Sequence, residues 1–141
     1  MKHVADVIDT NVSVAGLITN DPDSPPATIL DGMCRGAFPF LLSTSLLSEY
    51  REVLLRKKIR SLHGLSEREV DSLLTAIAAN AIVREPEHRA GAPDANDQHV
   101  WSLVQDQPSC VLVTGDHALI EHPPRQSTVI SPRQFVEALS R

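Results

Sequence analysis

Val4-Ala5-Asp6-Val7-Ile8-Asp9-Thr10-Asn11 and Val111-Leu112-Val113-Thr114-Gly115-Asp116 are built to one plan. Each is a short apolar run of strand length that ends in turn-forming residues and an aspartate. Outward from the first, Asn11 to Ile18 reads as a short helix and Asn20 to Pro26 as a loop with Asp21-Pro22 and Pro25-Pro26 as breakers. Ala27 to Arg35 has helical spacing through Ile29, Leu30 and Met33, with Gly36 as its stop. Phe38–Leu42 is a second strand, weakened at Pro39, and Ser43-Thr44-Ser45 opens one helix over Leu46 to Lys58. Ser66 and Glu69 form a capping box ahead of the stripe Val70, Leu73, Leu74, Ile77 and Ala78. Ala81–Val83 is a strand, Glu85 to Pro93 a loop, and Ala95 to Asp106 a helix. After the strand Val111–Val113 come one helical turn at His117–Ile120, a last strand at Thr128–Ile130, and a final helix opened by Pro132.

Strands alternating with helices predict an α/β fold with a mainly parallel sheet covered on both faces. In open sheets of that kind, sites form beyond the carboxyl ends of the strands. Asp9 and Asp116 stand at two such ends. Asp6 fits a fully buried strand poorly, which places it near an edge or against a polar partner.

The 141 residues predict a single domain, 1–141, with room for a real core. Aromatics are only 4% of the chain, so that core is expected to be mainly aliphatic. A net charge of −5 argues against gripping nucleic acid by bulk charge, although acidic metal ligands count against that total until a cation is bound. Cys34 and Cys110 are expected as buried thiols. With no signal segment and no long apolar run, the expectation is a cytoplasmic protein with no membrane contact.

Further carboxylates stand between the two strand ends. Asp97 precedes Val100, Trp101 and Val104 at helical spacing, so it shares their apolar side, where an unpaired carboxylate is expensive; that favours a metal role over the plainer hydrogen-bonded or dipole-stabilised Asp. Glu49 lies at the margin of the face made by Leu46, Tyr50, Val53 and Leu54, whereas Glu52 points away as ordinary surface. Asp94 is either a helix N-cap or a further ligand, and Asp9 and Asp116 also suit N-caps. Thr10, Asn11 and Thr114 serve as caps or as supports for a ligand. As a set, Asp9, Glu49, Asp97 and Asp116 come from separate elements. At about 4 Å and an effective dielectric of about 20, each like-charged pair would cost roughly 4 kcal/mol. A divalent cation removes that cost, and oxygen donors without clustered Cys or His suit Mg²⁺ or Mn²⁺. The six histidines show no paired ligand spacing, and His99 and His117 read as ordinary surface residues. The best basic feature is Arg51, Arg56, Lys57, Lys58 and Arg60, read either as phosphate contacts or as a solvated helix end whose cations suit the dipole; Arg125 and Arg133 are isolated.

Four motifs in order carry a resemblance. Val7-Ile8-Asp9-Thr10-Asn11-Val12 resembles the opening signature of PIN-domain ribonucleases. Leu46-Leu47-Ser48-Glu49-Tyr50-Arg51-Glu52-Val53-Leu54 is similar to the helix that carries their essential glutamate. Asp94-Ala95-Asn96-Asp97-Gln98-His99-Val100 and Leu112-Val113-Thr114-Gly115-Asp116 resemble the third and fourth acidic motifs, with Asn96 where relatives are often acidic. The nearest subgroup is the compact bacterial PIN proteins regarded as toxins of toxin–antitoxin pairs, VapC-like in character. The resemblance implies a three-layer α/β/α sandwich around a parallel sheet. It also implies a Mg²⁺- or Mn²⁺-dependent endoribonuclease with Asp9, Glu49, Asp97 and Asp116 as ligands, Asp94 as a less certain one, and Asn11 and Thr114 as supports. RNA as substrate, an antitoxin partner and a homodimer follow by the same analogy. Two rivals stand beside it. One is a non-catalytic PIN-like module that binds RNA or protein. The other is a Mg²⁺ phosphotransfer enzyme with Asp9 as nucleophile, which lacks a second Asp at the position of Asn11.

Overall fold

The structure is a computed structural model that describes residues 5–86, 98–107, 109–123 and 127–140. Within those residues five parallel strands form one sheet in the order β3-β2-β1-β4-β5. They are β1 (Asp6–Ile8), β2 (Phe40–Leu42), β3 (Ile82–Val83), β4 (Val111–Val113) and β5 (Thr128–Ile130). The helices between them are α1 (Thr10–Ile18), α2 (Pro25–Arg35), α3 (Thr44–Leu54), α4 (Lys57–His63), α5 (Glu67–Asn80), α6 (Gln98–Asp106), α7 (His117–Glu121) and α8 (Pro132–Leu139). Every residue of β1, β2 and β4 is buried, so helices cover both faces of the sheet, as a parallel sheet requires. This is the predicted α/β architecture, with a wholly parallel sheet.

The order of strands positions everything that follows. The chain leaves β1 for β2 and β3 on one side, then returns to place β4 on the other side of β1. Asp6 pairs with both Phe40 and Val111, and Ile8 with Val113. The switch point of the topology therefore lies between β1 and β4, and a crevice opens there at the carboxyl ends of the strands.

The core is aliphatic, as the composition predicts, with Val7, Ile8, Leu42, Leu46, Leu112 and Val113 at its centre. One aromatic group closes an end of it, Phe38 lying edge-on to Phe135 at 5.0 Å and tilted against Phe40 at 5.8 Å. Trp101 is buried, and both cysteines are free thiols; Cys110 is buried as expected, whereas Cys34 is only half-buried. Burial first, and the nearby Asp6 charge second, push the Cys110 thiol up to about 11.

Several boundaries correct the sequence reading. Pro25 and Pro26 do not end a loop but begin α2, with Ser24 as N-cap. Proline suits the first turn because its missing N–H would have no partner there. The second strand starts at Phe40, beyond Pro39. Asp6 is not near an edge: it sits in the middle strand, 2% exposed. The single helix over Leu46 to Lys58 is two helices, broken at Leu55 and Arg56. The break is sealed from a distance, because His63 Nε2 meets the Leu54 carbonyl at 2.8 Å while its Nδ1 accepts from the Leu65 N–H at 2.9 Å. With Nδ1 accepting, Nε2 carries the proton and donates. The predicted Gly36 stop and the Ser66–Glu69 capping box are both present. No helix among the described residues is long and apolar enough to cross a membrane.

One close approach governs how α1 and α2 pack. A Cβ placed on Gly16 would lie 2.5 Å from the Pro26 carbonyl oxygen and 3.0 Å from Leu30 Cβ. Backbone atoms cannot swing aside as a side chain can. Gly16→Ala is expected to destabilise the protein by about 1–3 kcal/mol through overpacking. Urea unfolding measures this, and an unchanged midpoint would refute it.

Candidate active site

Asp9 and Asp116 are each the N-cap of the helix that follows. Asp9 Oδ1 accepts from the Thr10 N–H at 2.9 Å, and Asp116 Oδ1 accepts from the Ala118 N–H at 3.0 Å. The capping explanation is therefore correct as far as it goes, but it uses one oxygen of each carboxylate and leaves the other for further work.

The loops after β1 and β4 are tied together by side chains. Thr114 Oγ1 donates to Asp9 Oδ2 at 2.8 Å and accepts from the Asp116 N–H at 3.1 Å. Asn11 Nδ2 donates to Thr114 Oγ1 at 3.2 Å and to Asp9 Oδ2 at 3.3 Å, while Asn11 Oδ1 accepts from the Gly115 N–H at 2.9 Å. Thr114 is wholly buried, so its hydroxyl is a fixed hub rather than a solvent group. Gly115 permits this closeness, since a Cβ there would sit 3.3 Å from Asn11 Oδ1. Backbone bonds continue the seam, Asp9 N–H donating to the Val113 carbonyl at 2.9 Å. Below it, the fully buried Tyr50 donates its hydroxyl to the Ile8 carbonyl, anchoring α3 to the residue before Asp9. Burial raises the Tyr50 phenol, and the charges of Asp9 and Glu49 raise it further.

Asp9, Asn11, Glu49 and Asp116 border one cleft of about 480 Å³. A neighbouring groove of about 670 Å³ shares Glu49 and runs along α3 past Ser48 to Arg56, with His99 on its wall. Burial raises the Asp9 carboxyl above its ordinary value of 3.8; the hydrogen bonds from Thr114 and Thr10 oppose the rise, and the Glu49 and Asp116 charges add to it. The three carboxylates thus share one field, as their common cleft requires.

Asp94 and Asp97, with the whole start of the third motif, lie outside the described residues. Val100, Trp101 and Val104, the stripe used to orient Asp97, are all buried. Among the described residues, no three Asp, Glu, His or Cys side chains are gathered closely enough to hold a metal ion. The donor set nonetheless fits a hard divalent cation in kind: all three described carboxylates offer oxygen, and the Asp9 carboxyl, raised first by burial and only last by the Glu49 and Asp116 charges, stands where a cation would offset both.

Two sequence expectations need correction here. His99 is not ordinary surface: its side chain is 22% exposed, and its Nε2 meets Glu49 Oε2. No local pattern could reveal this, because the partners are 50 residues apart and meet only when α6 packs beside α3. The basic cluster also divides. Arg51 is bound to Glu67 at 2.7 Å and Asp71 at 2.8 Å on α5, and Arg56 lies 3.7 Å from Glu52. Lys57, Lys58 and Arg60 are exposed on α4. Lys57 and Lys58 stand in its first turn, where the dipole disfavours cations, so the helix-end explanation fails for them.

Comparison with curated proteins gave no match. A comparison with protein families gave the PIN domain, matched over residues 6–118, a span that runs from β1 into α7 and contains all four acidic motifs. With the parallel sheet and the paired strand-end aspartates already in place, that match shows that the chain belongs to the PIN-domain family.

Proposed function

We propose that this PIN domain is a Mg²⁺- or Mn²⁺-dependent endoribonuclease, the toxin of a toxin–antitoxin pair. PIN domains are generally nucleases and typically use divalent metals. The observation that carries the reading is the seam at the switch point, where Thr114 and Asn11 hold the loops of Asp9 and Asp116 together beside Glu49.

Asp9 and Asp116 are the principal ligands in this proposal, with Glu49 and Asp97 holding a second ion or orienting the attacking water. When bound, the metal supplies a more acidic water and offsets charge on the phosphoryl oxygens. The chain's own work is placement. Thr114 and Asn11 satisfy one face of the Asp9 carboxylate, so its open side is held toward the cleft. Burial raises both cysteine thiols, and neither Cys34 nor Cys110 borders the cleft of Asp9 and Asp116, which favours direct attack by water.

The exposed cations of α4 are assigned to RNA phosphates. Replacing both Lys57 and Lys58 by Gln is expected to raise KM with little change in kcat. It should also reduce the salt dependence of binding by about 1.4 in log–log slope, for two contacts to a single strand. Fluorescence anisotropy across a salt series measures the slope, and an unchanged slope removes both residues from the interface. An antitoxin and a second copy of the chain are the protein partners proposed by family analogy.

The rival reading is a non-catalytic module that binds RNA or protein, against which the complete acidic set of the sequence argues. Cleavage of a mixed structured-RNA pool separates the two. The assay is run with Mg²⁺, with Mn²⁺ and with EDTA, beside an Asp97→Asn protein purified identically. Metal-dependent cutting that the substitution abolishes supports the nuclease. RNA binding that ignores EDTA, without cutting, supports the module. Growth arrest on expression, relieved by the product of a neighbouring gene, tests the toxin role.

A further inference from the structure

His99 has no part in the family's acidic set, yet it holds one member of it. It is the second described residue of α6, and α6 packs against both β1 and α3. From there its Nε2 meets Glu49 Oε2, with both side chains about three-quarters buried at the wall of the α3 groove. A carboxylate oxygen only accepts, so Nε2 carries the proton and donates. Nδ1 is buried and has no hydrogen-bond partner among the described residues. The contact occupies one Glu49 oxygen, and among the described residues Oε1 takes no hydrogen bond.

Glu49 needs such a restraint more than the aspartates do. Asp9 and Asp116 are short side chains at strand ends, each fixed by a capping bond. Glu49 has one more rotatable bond, stands in the middle of a helix, and has His99 as its hydrogen-bond partner. We infer that His99 is a positioning residue that holds the Glu49 carboxylate at the edge of the acidic cleft, an assignment that rests on the proposed metal site. Hydrogen-bonded partners of this kind orient ligating carboxylates in metal sites generally. They also join segments, and here the bond ties α6, which continues from the third motif, to α3, which carries the second.

The test is Mn²⁺ binding by calorimetry, on the full chain and without RNA. His99→Leu is expected to weaken Mn²⁺ binding by about 10-fold or more. His99→Gln, which returns an N–H donor at similar reach, should restore affinity close to the parent's. In a Glu49→Ala background the leucine substitution should cost nothing further, because its effect passes through Glu49. A merely structural histidine would instead lower affinity equally in both backgrounds, and that result overturns the inference. So does an unchanged affinity in His99→Leu, or an imidazole nitrogen coupling in the paramagnetic resonance of bound Mn²⁺, which would make His99 a ligand. If the leucine protein does not fold, His99→Asn, whose side chain is too short for the contact, replaces it in the cycle. Asp9→Asn serves as the reference: if it binds Mn²⁺ as the parent does, or if the parent binds none, the metal site fails and His99 falls with it. Loss in Asp9→Asn without loss in the His99 variants rejects His99 alone.

Discussion

Asp9→Asn protein will be folded and will cleave RNA at least about 1000-fold more slowly than the parent, a loss of roughly 4 kcal/mol of transition-state stabilisation. The substitution preserves shape, and the amide oxygen can still accept from the Thr10 N–H that Asp9 caps at 2.9 Å. It removes the charge that a divalent cation would meet. Single-turnover cleavage at saturating Mg²⁺ measures the loss, and activity within 10-fold of the parent would remove Asp9 from the metal site.

The same variant should change how stability responds to pH. Burial and the neighbouring Glu49 and Asp116 charges raise the folded carboxyl of Asp9 above 3.8. Between 3.8 and that raised value the native state binds more protons than the unfolded chain. This group therefore lowers stability as pH rises through that window, and the deficit persists above it. Asp9→Asn removes that contribution, so its metal-free stability should decline less between pH 4 and pH 7. Urea midpoints across that range, taken in EDTA, check the sign; a steeper decline in the variant would contradict it.

Thr114→Val will be the most damaging change outside the carboxylates. Valine matches threonine in shape, so packing is kept and only the hydroxyl is lost. That hydroxyl donates to Asp9 Oδ2 and accepts from Asn11 Nδ2 and the Asp116 N–H, all around a fully buried residue. Removing it strands the Asp116 N–H and leaves Asp9 Oδ2 and Asn11 Nδ2 with only their mutual 3.3 Å bond, at about 1–3 kcal/mol for each group left dry. A total loss of about 2–4 kcal/mol is expected, with cleavage reduced about 10- to 100-fold because both aspartate loops lose their tie. Thr114→Ser keeps the hydroxyl and should recover most of both effects. If serine is as damaged as valine, the methyl and not the hub is what matters.

The frame of this site is local information. A short, mostly apolar run followed by Thr-Gly-Asp, or by Asp-Thr-Asn, leaves few choices: a buried strand, a turn and a capped helix. The capping box at Ser66 and Glu69 is local in the same way. So was the first turn of α2, since Ser24-Pro25-Pro26 is an N-cap followed by the residue favoured at the first helical position. The break between α3 and α4 could not be read in this way. Leu55 and Arg56 contain no breaker, and the Leu54 carbonyl at the buried end of α3 is satisfied by an imidazole nine residues further on.

The sequence by itself determined the alternation of strands and helices, the aspartates at two strand ends, and membership in a family that uses four acidic motifs. These follow from periodicity, capping and turn chemistry, which act over a few residues. Only the tertiary structure decided which strands are neighbours, and so that Asp9 and Asp116 flank one crevice. Only it decided that Arg51 is engaged by α5 while Lys57 and Lys58 form no ion pair among the described residues, and that His99 belongs to Glu49. Such pairings depend on where a crossover returns the chain, across 20 residues for Arg51 and Asp71 and 105 for Asp9 and Thr114. The free energy that selects them is burial of the sheet's two faces as a whole, which no short window of sequence contains.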